Sequence, residues 1–215
     1  MSDTERLIIL GTHVFAEEVA DLVGDCGEYE LVAFAENWDR TRCRAPLLGR
    51  PVVWIDELPE LAATHVTVCA IGTTRRAAYV KQVEAMGFRF ATIRHPTARV
   101  SSTSTIGPGS IVSAGVVVAS HTTIGRHVIV NRGCLIGHHT TIEDGVTISP
   151  GANIAGRITI GDGAYVGMGA VVLDSLTIGR GSVIGAGSLV TRNVPDHVQV
   201  MGAPARVTRE GVEGR

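Results

Sequence analysis

The sequence predicts an α/β domain with a parallel sheet, followed by an all-β parallel β-helix. Two observations lead to this prediction. Strand-like and helix-like segments alternate from residue 6 to about residue 95, in the order typical of βαβ units. From Val100 to Val190 an aliphatic residue returns at every sixth position, which is the signature of a solenoid whose repeats bury their apolar side chains by stacking on one another.

The elements of the α/β domain follow from apolar runs and helical spacing. The runs predict strands at 7–10, 29–34, 51–55, 66–71 and 88–93, and the helical spacings predict helices at 15–23, 56–61 and 73–86. Their order predicts a doubly wound parallel sheet, whose ligands lie outside the carboxyl ends of the strands. Gly11, in the first turn, is a weak match to the three-glycine dinucleotide fingerprint, and a tight strand-to-helix turn explains it equally well.

The β-helix is predicted from sixteen aliphatic positions at a period of six. They are Val100, Ile106, Val112, Val118, Ile124, Val130, Ile136, Ile142, Ile148, Ile154, Ile160, Val166, Val172, Ile178, Ile184 and Val190. Because six is a multiple of the strand period of two, all of these side chains can point to one face of extended segments. Burying a Val or Ile contributes roughly 1.5–3 kcal/mol, so we expect the stacked aliphatic residues to hold the solenoid together.

Composition and charge argue against several classes of protein. The formal net charge of −2 does not indicate a nucleic-acid-binding patch or a basic membrane face. No apolar run approaches the roughly 20 residues of a membrane span, and the segment 1–6 lacks the pattern of a signal peptide. The four cysteines have no metal-like spacing, so we expect them to be reduced, in a cytoplasmic protein.

Motifs along the chain resemble one family. They are Ala70-Ile71-Gly72, the junction at 90–96, Ile136-Gly137-His138-His139 and Gly202-Ala203-Pro204-Ala205-Arg206. From residue 7 to about residue 207 the chain resembles the NeuD and PglD-like sugar acetyltransferases, which are hexapeptide-repeat acyltransferases. The resemblance implies a Rossmann-like sugar-nucleotide-binding domain at 1–96, a left-handed β-helix at 97–195 with eighteen residues per coil, and a tail at 196–215. It also implies a homotrimer with active sites at the subunit interfaces.

The resemblance implies an activity as well. Members of the family usually transfer the acetyl group of acetyl-CoA to an amino group of a nucleotide-linked deoxysugar, by direct attack in a ternary complex. Others acetylate a hydroxyl of a sialic acid, which is the alternative function here. The expected partners are acetyl-CoA, the nucleotide-linked amino sugar and further copies of the chain, with no nucleic acid, membrane or metal.

His138 is the expected general base. Acyl transfer to an amine needs a group that removes a proton, and a histidine that is neutral near pH 7 suits this role. His139, the second expected catalytic residue, stands where the family commonly has the Glu or Asp that orients the base. Four alternatives are open for that carboxylate: it is replaced by Glu143, by Asp144, by a residue of a neighbouring subunit, or by no residue. One coil before His139 lies His121, whose backbone we expect about 4.8 Å away.

Two sets of binding residues follow from the resemblance. For acetyl-CoA, in a groove between two β-helices, they are Asn131, Thr147, Gly156, Met168 and Ala186. Thr147 stands where the family has a second histidine, and backbone N–H groups near Gly156 are expected to stabilise the oxyanion. For the nucleotide sugar the residues are His13, Val14, Phe15, Glu36, Asn37 and Gly72.

Four further interpretations concern the chemistry, the function and the tail. Cys134 could carry the acetyl group, but it occupies a small inward position of the repeat, which favours a role in the core. A zinc enzyme resembling γ-class carbonic anhydrases would need three ligands converging on one point, and the spacing of the histidines does not match that family. A module without catalysis would bind nucleotide sugar but not coenzyme A. The segment 210–215 is expected to be frayed beyond the turn at 202–204.

Overall fold

The computed structural model describes residues 4–215, so the expectations for residues 1–3 lie outside the described residues. Five parallel strands form the first sheet, in the order β3-β2-β1-β4-β5. The strands are β1 Glu5–Leu10, β2 Tyr29–Glu36, β3 Val52–Trp54, β4 His65–Cys69 and β5 Arg89–Phe90, and the helices are α1 Val14–Cys26 and α2 Arg76–Glu84. The predicted doubly wound parallel sheet is therefore confirmed.

Three elements of this domain differ from the prediction. The predicted helix at 56–61 consists of two 3-10 turns, Ile55–Glu57 and Pro59–Leu61, because Pro59 has no N–H to continue an α-helix. Helix α2 begins three residues later than predicted, after a turn in which the Arg76 N–H donates to the Thr73 carbonyl. A third short 3-10 helix, Arg40–Arg44, was not predicted.

The predicted strand at 88–93 is divided between two sheets. Its first part, β5, pairs with β4, whereas Ile93–Arg94 pairs with Ile111–Val112 of the β-helix. The chain therefore enters the β-helix at Ile93, because Ala91 and Thr92 carry it from one sheet to the other.

Three two-residue strands make one coil of the β-helix, and each contributes to one of three faces. Face 1 contains Ile93–Arg94, Ile111–Val112, Ile129–Val130, Thr147–Ile148, Tyr165–Val166 and Val183–Ile184. Face 2 contains Arg99–Val100, Val117–Val118, Leu135–Ile136, Asn153–Ile154, Val171–Val172 and Leu189–Val190. Face 3 contains Thr105–Ile106, Thr123–Ile124, Thr141–Ile142, Thr159–Ile160 and Thr177–Ile178. Pairing partners are eighteen residues apart, as in Val118, Ile136 and Ile154, so the predicted coil is confirmed.

The hexad aliphatic residues form one continuous core. Fourteen of the sixteen are buried, and the first two, Val100 and Ile106, pack against them. Cys134 is fully buried in this core, its thiol donates to the Ser149 carbonyl at 3.1 Å, and desolvation by burial raises its pKa to about 11. A buried, protonated thiol is a poor nucleophile, which favours the interpretation of Cys134 as a packing residue.

The first domain packs on face 1. The outward side chains of Ile111 and Ile129 belong to the same apolar cluster as Val19 and Val23 of α1. Arg76, at the start of α2, is 1% exposed and crosses this contact. Its guanidinium donates to the carbonyls of Thr73, His127, Gly145 and Val146 and to the Thr147 hydroxyl, at 2.7–3.0 Å. Desolvation lowers the pKa of Arg76 to about 10, so it remains charged at neutral pH.

The C-terminal segment is ordered as a hairpin and a strap, contrary to the expectation that 210–215 is frayed. Strands Val198–Gly202 and Ala205–Glu210 pair antiparallel at the end of face 1. Residues 211–215, the strap, then return to the first domain, where Arg215 and Thr74 exchange hydrogen bonds of 2.8 Å. The segment is held because it covers the open edge of the last coil and its polar groups find partners. No helix among residues 4–215 is long and apolar enough to cross a membrane.

Candidate active site

Three exposed histidines meet at the corner between faces 2 and 3. His138 and His139 follow the strand Leu135–Ile136, and His121 occupies the position of His139 one coil earlier. The His139 N–H donates to the Ser120 carbonyl at 3.0 Å, and the ring centroids of His121 and His139 are 4.9 Å apart. The stacking expected from the repeat therefore extends from the backbone to the side chains.

The corner also fixes the direction of these side chains. His121 and His139 both have a left-handed backbone conformation, with φ of 56°. Outside glycine, this conformation is tolerated best by Asn, Asp and His. Because the same turn recurs in each coil, the two rings leave the backbone in the same direction and come into contact.

His138 lies between His139 and the next coil. Its Nδ1 atom is 3.1 Å from Nδ1 of His139. On the other side of the ring is Gly156, where an added Cβ would lie 2.8 Å from the His138 Nε2 atom. The Gly156 N–H has no hydrogen-bond acceptor among residues 4–215, so it is free to donate to a ligand beside the imidazole.

The expected substitutes for the missing carboxylate are not at this corner. Glu143 accepts a hydrogen bond from the Asp162 N–H and Asp144 accepts one from the Arg126 N–H, both at the corner between faces 3 and 1. Among the described residues the side chain bonded to His138 is that of His139. The pKa of His139 is lowered by slight desolvation and by the nearby His121, His138 and Arg157.

Gly156→Ala is expected to lower kcat about tenfold, because the new methyl group displaces the His138 ring. A tenfold loss corresponds to about one lost hydrogen bond. The stability of the protein should not change, since only the end of a flexible side chain has to move. Steady-state kinetics and thermal unfolding check this result. The control is Gly24→Ala in α1, where an added Cβ meets nothing within 4 Å. Equal kcat in the Gly156→Ala variant and in the parent would contradict the placement of the ring.

The residues predicted to bind the coenzyme lie at three places in one chain. Gly156 is at the histidine corner, whereas Asn131, Met168 and Ala186 lie along the corner between faces 1 and 2. Thr147 is 1% exposed and its hydroxyl accepts the hydrogen bond from Arg76. The structure therefore contradicts a coenzyme contact at Thr147, because the docked first domain covers it.

A cavity of about 630 Å³ opens at the carboxyl ends of β1, β2 and β4. Five of the six residues predicted to bind the nucleotide sugar line it, namely His13, Phe15, Glu36, Asn37 and Gly72. Val14 does not, since its side chain is 81% exposed on the first turn of α1. The sequence interpretation missed other lining residues, among them Trp38, Arg75 and Tyr79. Trp38 and Arg75 each come four residues after a predicted strand, 29–34 and 66–71 respectively, and this position near the carboxyl end of a strand was the available signal.

Glu36 shapes this cavity from within the protein. One carboxylate oxygen accepts a short hydrogen bond from the Thr12 hydroxyl, and the other accepts from the N–H groups of Asn37, Trp38 and Asp39 at 2.7–3.2 Å. Desolvation by burial acts to raise its pKa, but these hydrogen bonds lower it below the ordinary value. At 4% exposure, the carboxylate holds the turn that carries Asn37 and Trp38.

The charges around the cavity favour an anion. The carboxylate of Glu36 is occupied by hydrogen bonds from Thr12 and from its own turn, whereas His13 and Arg75 are exposed at the rim. Helix α1 begins at Val14 with no side-chain cap. The Ala16 N–H donates to the His13 carbonyl, which leaves the N–H groups of Val14 and Phe15 available to a negatively charged group. A second cavity of about 610 Å³, between α2 and the corner of faces 3 and 1, contains none of the predicted binding residues.

The histidines considered for zinc do not converge. His127 is 8% exposed at the corner between faces 3 and 1, away from His121, His138 and His139. Within residues 4–215 no three His, Cys, Asp or Glu side chains are arranged to hold a metal ion.

Comparisons with known proteins match the whole architecture. A family model described as bacterial transferase hexapeptide (six repeats) matches residues 157–192. A search of curated protein sequences returned no match. Among solved structures, a histidine-to-asparagine variant of perosamine N-acetyltransferase from Caulobacter crescentus, in complex with CoA and GDP-perosamine, is 30% identical. The match covers 95% of this chain and 97% of that one, with a TM-score of 0.88.

Two further solved structures match over the same length. The acetyltransferase domain of PglB from Neisseria gonorrhoeae, in complex with acetyl coenzyme A, is 29% identical over 95% of this chain and 99% of that one, with a TM-score of 0.87. WeeI from Acinetobacter baumannii is 29% identical over 95% and 100% of the two chains, with a TM-score of 0.84. Because both the α/β domain and the hexapeptide β-helix are matched, the chain belongs to the NeuD and PglD-like family of acetyl-CoA-dependent sugar acetyltransferases, which are built on a left-handed β-helix.

Proposed function

We propose that this chain transfers the acetyl group of acetyl-CoA to an amino group of a nucleotide-linked amino-deoxysugar. The observation that carries the proposal is the match, over 95% of the chain, to an N-acetyltransferase whose structure holds both CoA and GDP-perosamine. The exposed His138 beside a free N–H group and the separate cavity in the first domain support it.

The nucleoside diphosphate of the sugar nucleotide is assigned to the cavity of the first domain. His13, Arg75 and the first turn of α1 supply positive charge and N–H donors at its rim, which suit phosphate oxygens. Trp38, 90% exposed at the same rim, offers an aromatic face to the base. We do not assign Val14 or Glu36 to direct contact with the nucleotide sugar. Val14 points to solvent, and the Glu36 carboxylate accepts hydrogen bonds within the protein.

The acetyl-CoA site is assigned to the contact between two copies of the chain. The outward side chains of face 2 include Val117, Leu135 and Val171, which are 38–45% exposed. Exposed apolar side chains on one face, here interrupted by Asn153, favour burial against another subunit. If face 2 lies toward the axis of a homotrimer, the histidine corner of one subunit adjoins the neighbour's corner with Asn131 and Met168. The pantetheine arm then runs between the two corners, past Gly156 and Ala186.

The proposed chemistry is a direct transfer. Nε2 of His138 removes a proton from the sugar amine as its nitrogen attacks the thioester carbonyl, and the new C–N bond gives a tetrahedral intermediate. The Gly156 N–H stabilises the oxyanion. The C–S bond then breaks, and the proton held by His138 passes to the departing thiolate, which leaves as coenzyme A.

The remaining parts of the assignment are also proposals. We keep the division into 1–96, 97–195 and 196–215, with the last segment as a hairpin and strap. Four free cysteines, two of them buried, fit a reducing compartment, which supports a cytoplasmic location.

A thiol-release assay tests the proposed reaction. The protein is given acetyl-CoA with nucleotide-linked 3-amino and 4-amino deoxysugars, and separately with free sialic acid. Turnover with an amino sugar is the expected result. Turnover with sialic acid alone would replace the proposal by O-acetylation. Binding of nucleotide sugar without any binding of coenzyme A would instead identify a module without catalysis.

A further inference from the structure

The three histidines at the corner of faces 2 and 3 form a continuous series of side-chain contacts. His121 lies against His139, with ring centroids 4.9 Å apart and an angle of 43° between the rings. His139 in turn meets His138 edge-on, at 87° and 5.2 Å. The edge-on geometry brings the two Nδ1 atoms within 3.1 Å, which is hydrogen-bond distance.

A hydrogen bond between two Nδ1 atoms requires one proton, and its position decides what His138 can do. A neutral imidazole carries its proton on one nitrogen and accepts on the other. If Nδ1 of His138 donates, its Nε2 has a free lone pair on the Gly156 side and can act as a base. If Nδ1 of His138 accepts, its Nε2 carries the proton and cannot. The chemistry of the proposed reaction therefore selects His138 as donor and His139 as acceptor.

The surroundings of His139 keep its Nδ1 atom able to accept a hydrogen bond. The titratable and charged groups beside it are His121, His138 and Arg157, all cationic or neutral. Slight desolvation, together with these neighbouring groups, lowers the pKa of His139, which favours the neutral ring at pH 7. The left-handed backbone of His139, with φ of 56°, and the contact with His121 restrict the ring to the orientation that meets His138.

We infer that His139, supported by His121, is the positioning residue that holds the base His138 in its Nδ1–H tautomer. A neutral imidazole takes the place of the carboxylate that is common in the family. The inference rests on the proposed function, because only a base at Nε2 needs this tautomer. It goes beyond that function by naming the group that makes the base competent.

The tautomer is measured directly by nitrogen NMR of the ring-labelled protein, without any turnover. We expect a proton on Nδ1 of His138 in the parent and the loss of this proton in the His139→Gly variant. Glycine is chosen because it also suits the left-handed backbone at this position. A proton on Nε2 of His138 in the parent would overturn the inference. This readout is independent of the sugar substrate, so it distinguishes a wrong positioning residue from a wrong function.

Kinetics of three variants provide the second test. His139→Gly should lower kcat about tenfold, the order expected for one lost hydrogen bond, with the KM of acetyl-CoA within about twofold. His139→Asn, which keeps an acceptor and tolerates the left-handed backbone, should retain most of the activity. His139→Glu should stay active and move the acidic limb of the kcat/KM profile to higher pH, because a carboxylate stabilises the protonated base. Equal kcat and equal pH profiles in all three variants would overturn the inference while the proposed reaction stands.

Discussion

His138→Ala lowers kcat by at least about 100-fold while the protein continues to bind acetyl-CoA and the nucleotide sugar. The size follows from the loss of a general base, which typically contributes 10²–10⁴-fold. Binding is retained because the cavity of the first domain is formed by other elements. Steady-state kinetics give kcat, and calorimetric titration with coenzyme A and with the nucleoside diphosphate gives the two affinities.

The control for this variant is His95→Ala. His95 lies at the junction of the domains, where its ring contacts Thr97 and Asp25, and its loss should change kcat by less than about twofold. Near-normal turnover in His138→Ala would remove this residue from the mechanism. Loss of coenzyme binding in the variant would instead show that His138 acts in binding.

Arg76→Met lowers the free energy of unfolding by roughly 2–4 kcal/mol. The substitution leaves the buried carbonyl of His127 and the part-buried carbonyl of Gly145 without another donor among the described residues. An unsatisfied buried group of this kind costs about 1–3 kcal/mol. Urea denaturation of the variant and the parent measures the difference, because the shift in midpoint reports stability.

Arg75→Met is the matched control for stability. Arg75 is the preceding residue and is exposed, so its replacement should change the unfolding free energy by less than about 0.5 kcal/mol. An Arg76→Met variant as stable as the parent would mean that the contact between the first domain and face 1 rests on the apolar cluster of Ile111 and Ile129 alone.

The β-helix could be predicted from the sequence because its order is local and periodic. Each hexad carries its own turn and its own inward aliphatic residue, so the position of Ile136 already determines that of Ile154 one coil later. The ends of β1, β2 and β4 were predictable for a similar reason, since a parallel sheet gathers the carboxyl ends of its strands at one edge.

The parts that were missed depend on contacts between distant segments. Thr147 has an outward position that looks open in the sequence, and only the docking of α2 through Arg76 covers it. The segment 210–215 has no local pattern of order, yet Arg215 bonds to Thr74, 141 residues earlier. Neither contact has a periodic signal.

The interpretation of two further residues changed once their side-chain partners were known. Glu36 ends a strand at the right place for a ligand contact, but its carboxylate closes a turn on itself with three backbone N–H groups. His139 stands where the resemblance implies a Glu or Asp, and the sequence left open which group replaces that carboxylate. Only the 3.1 Å contact between the two Nδ1 atoms identifies it as the partner of His138.

Transfer of the acetyl group of acetyl-CoA to an amine of a nucleotide-linked sugar is tested by NMR of the product. The protein is incubated with carbonyl-labelled acetyl-CoA and the amino sugar nucleotide that gives the fastest thiol release. We expect one new amide, in which the labelled carbonyl is bonded to the amino nitrogen of the sugar, and at least about 100-fold slower formation of this amide with His138→Ala. A labelled ester on a sugar hydroxyl, with the amine unchanged, would contradict the proposed transfer.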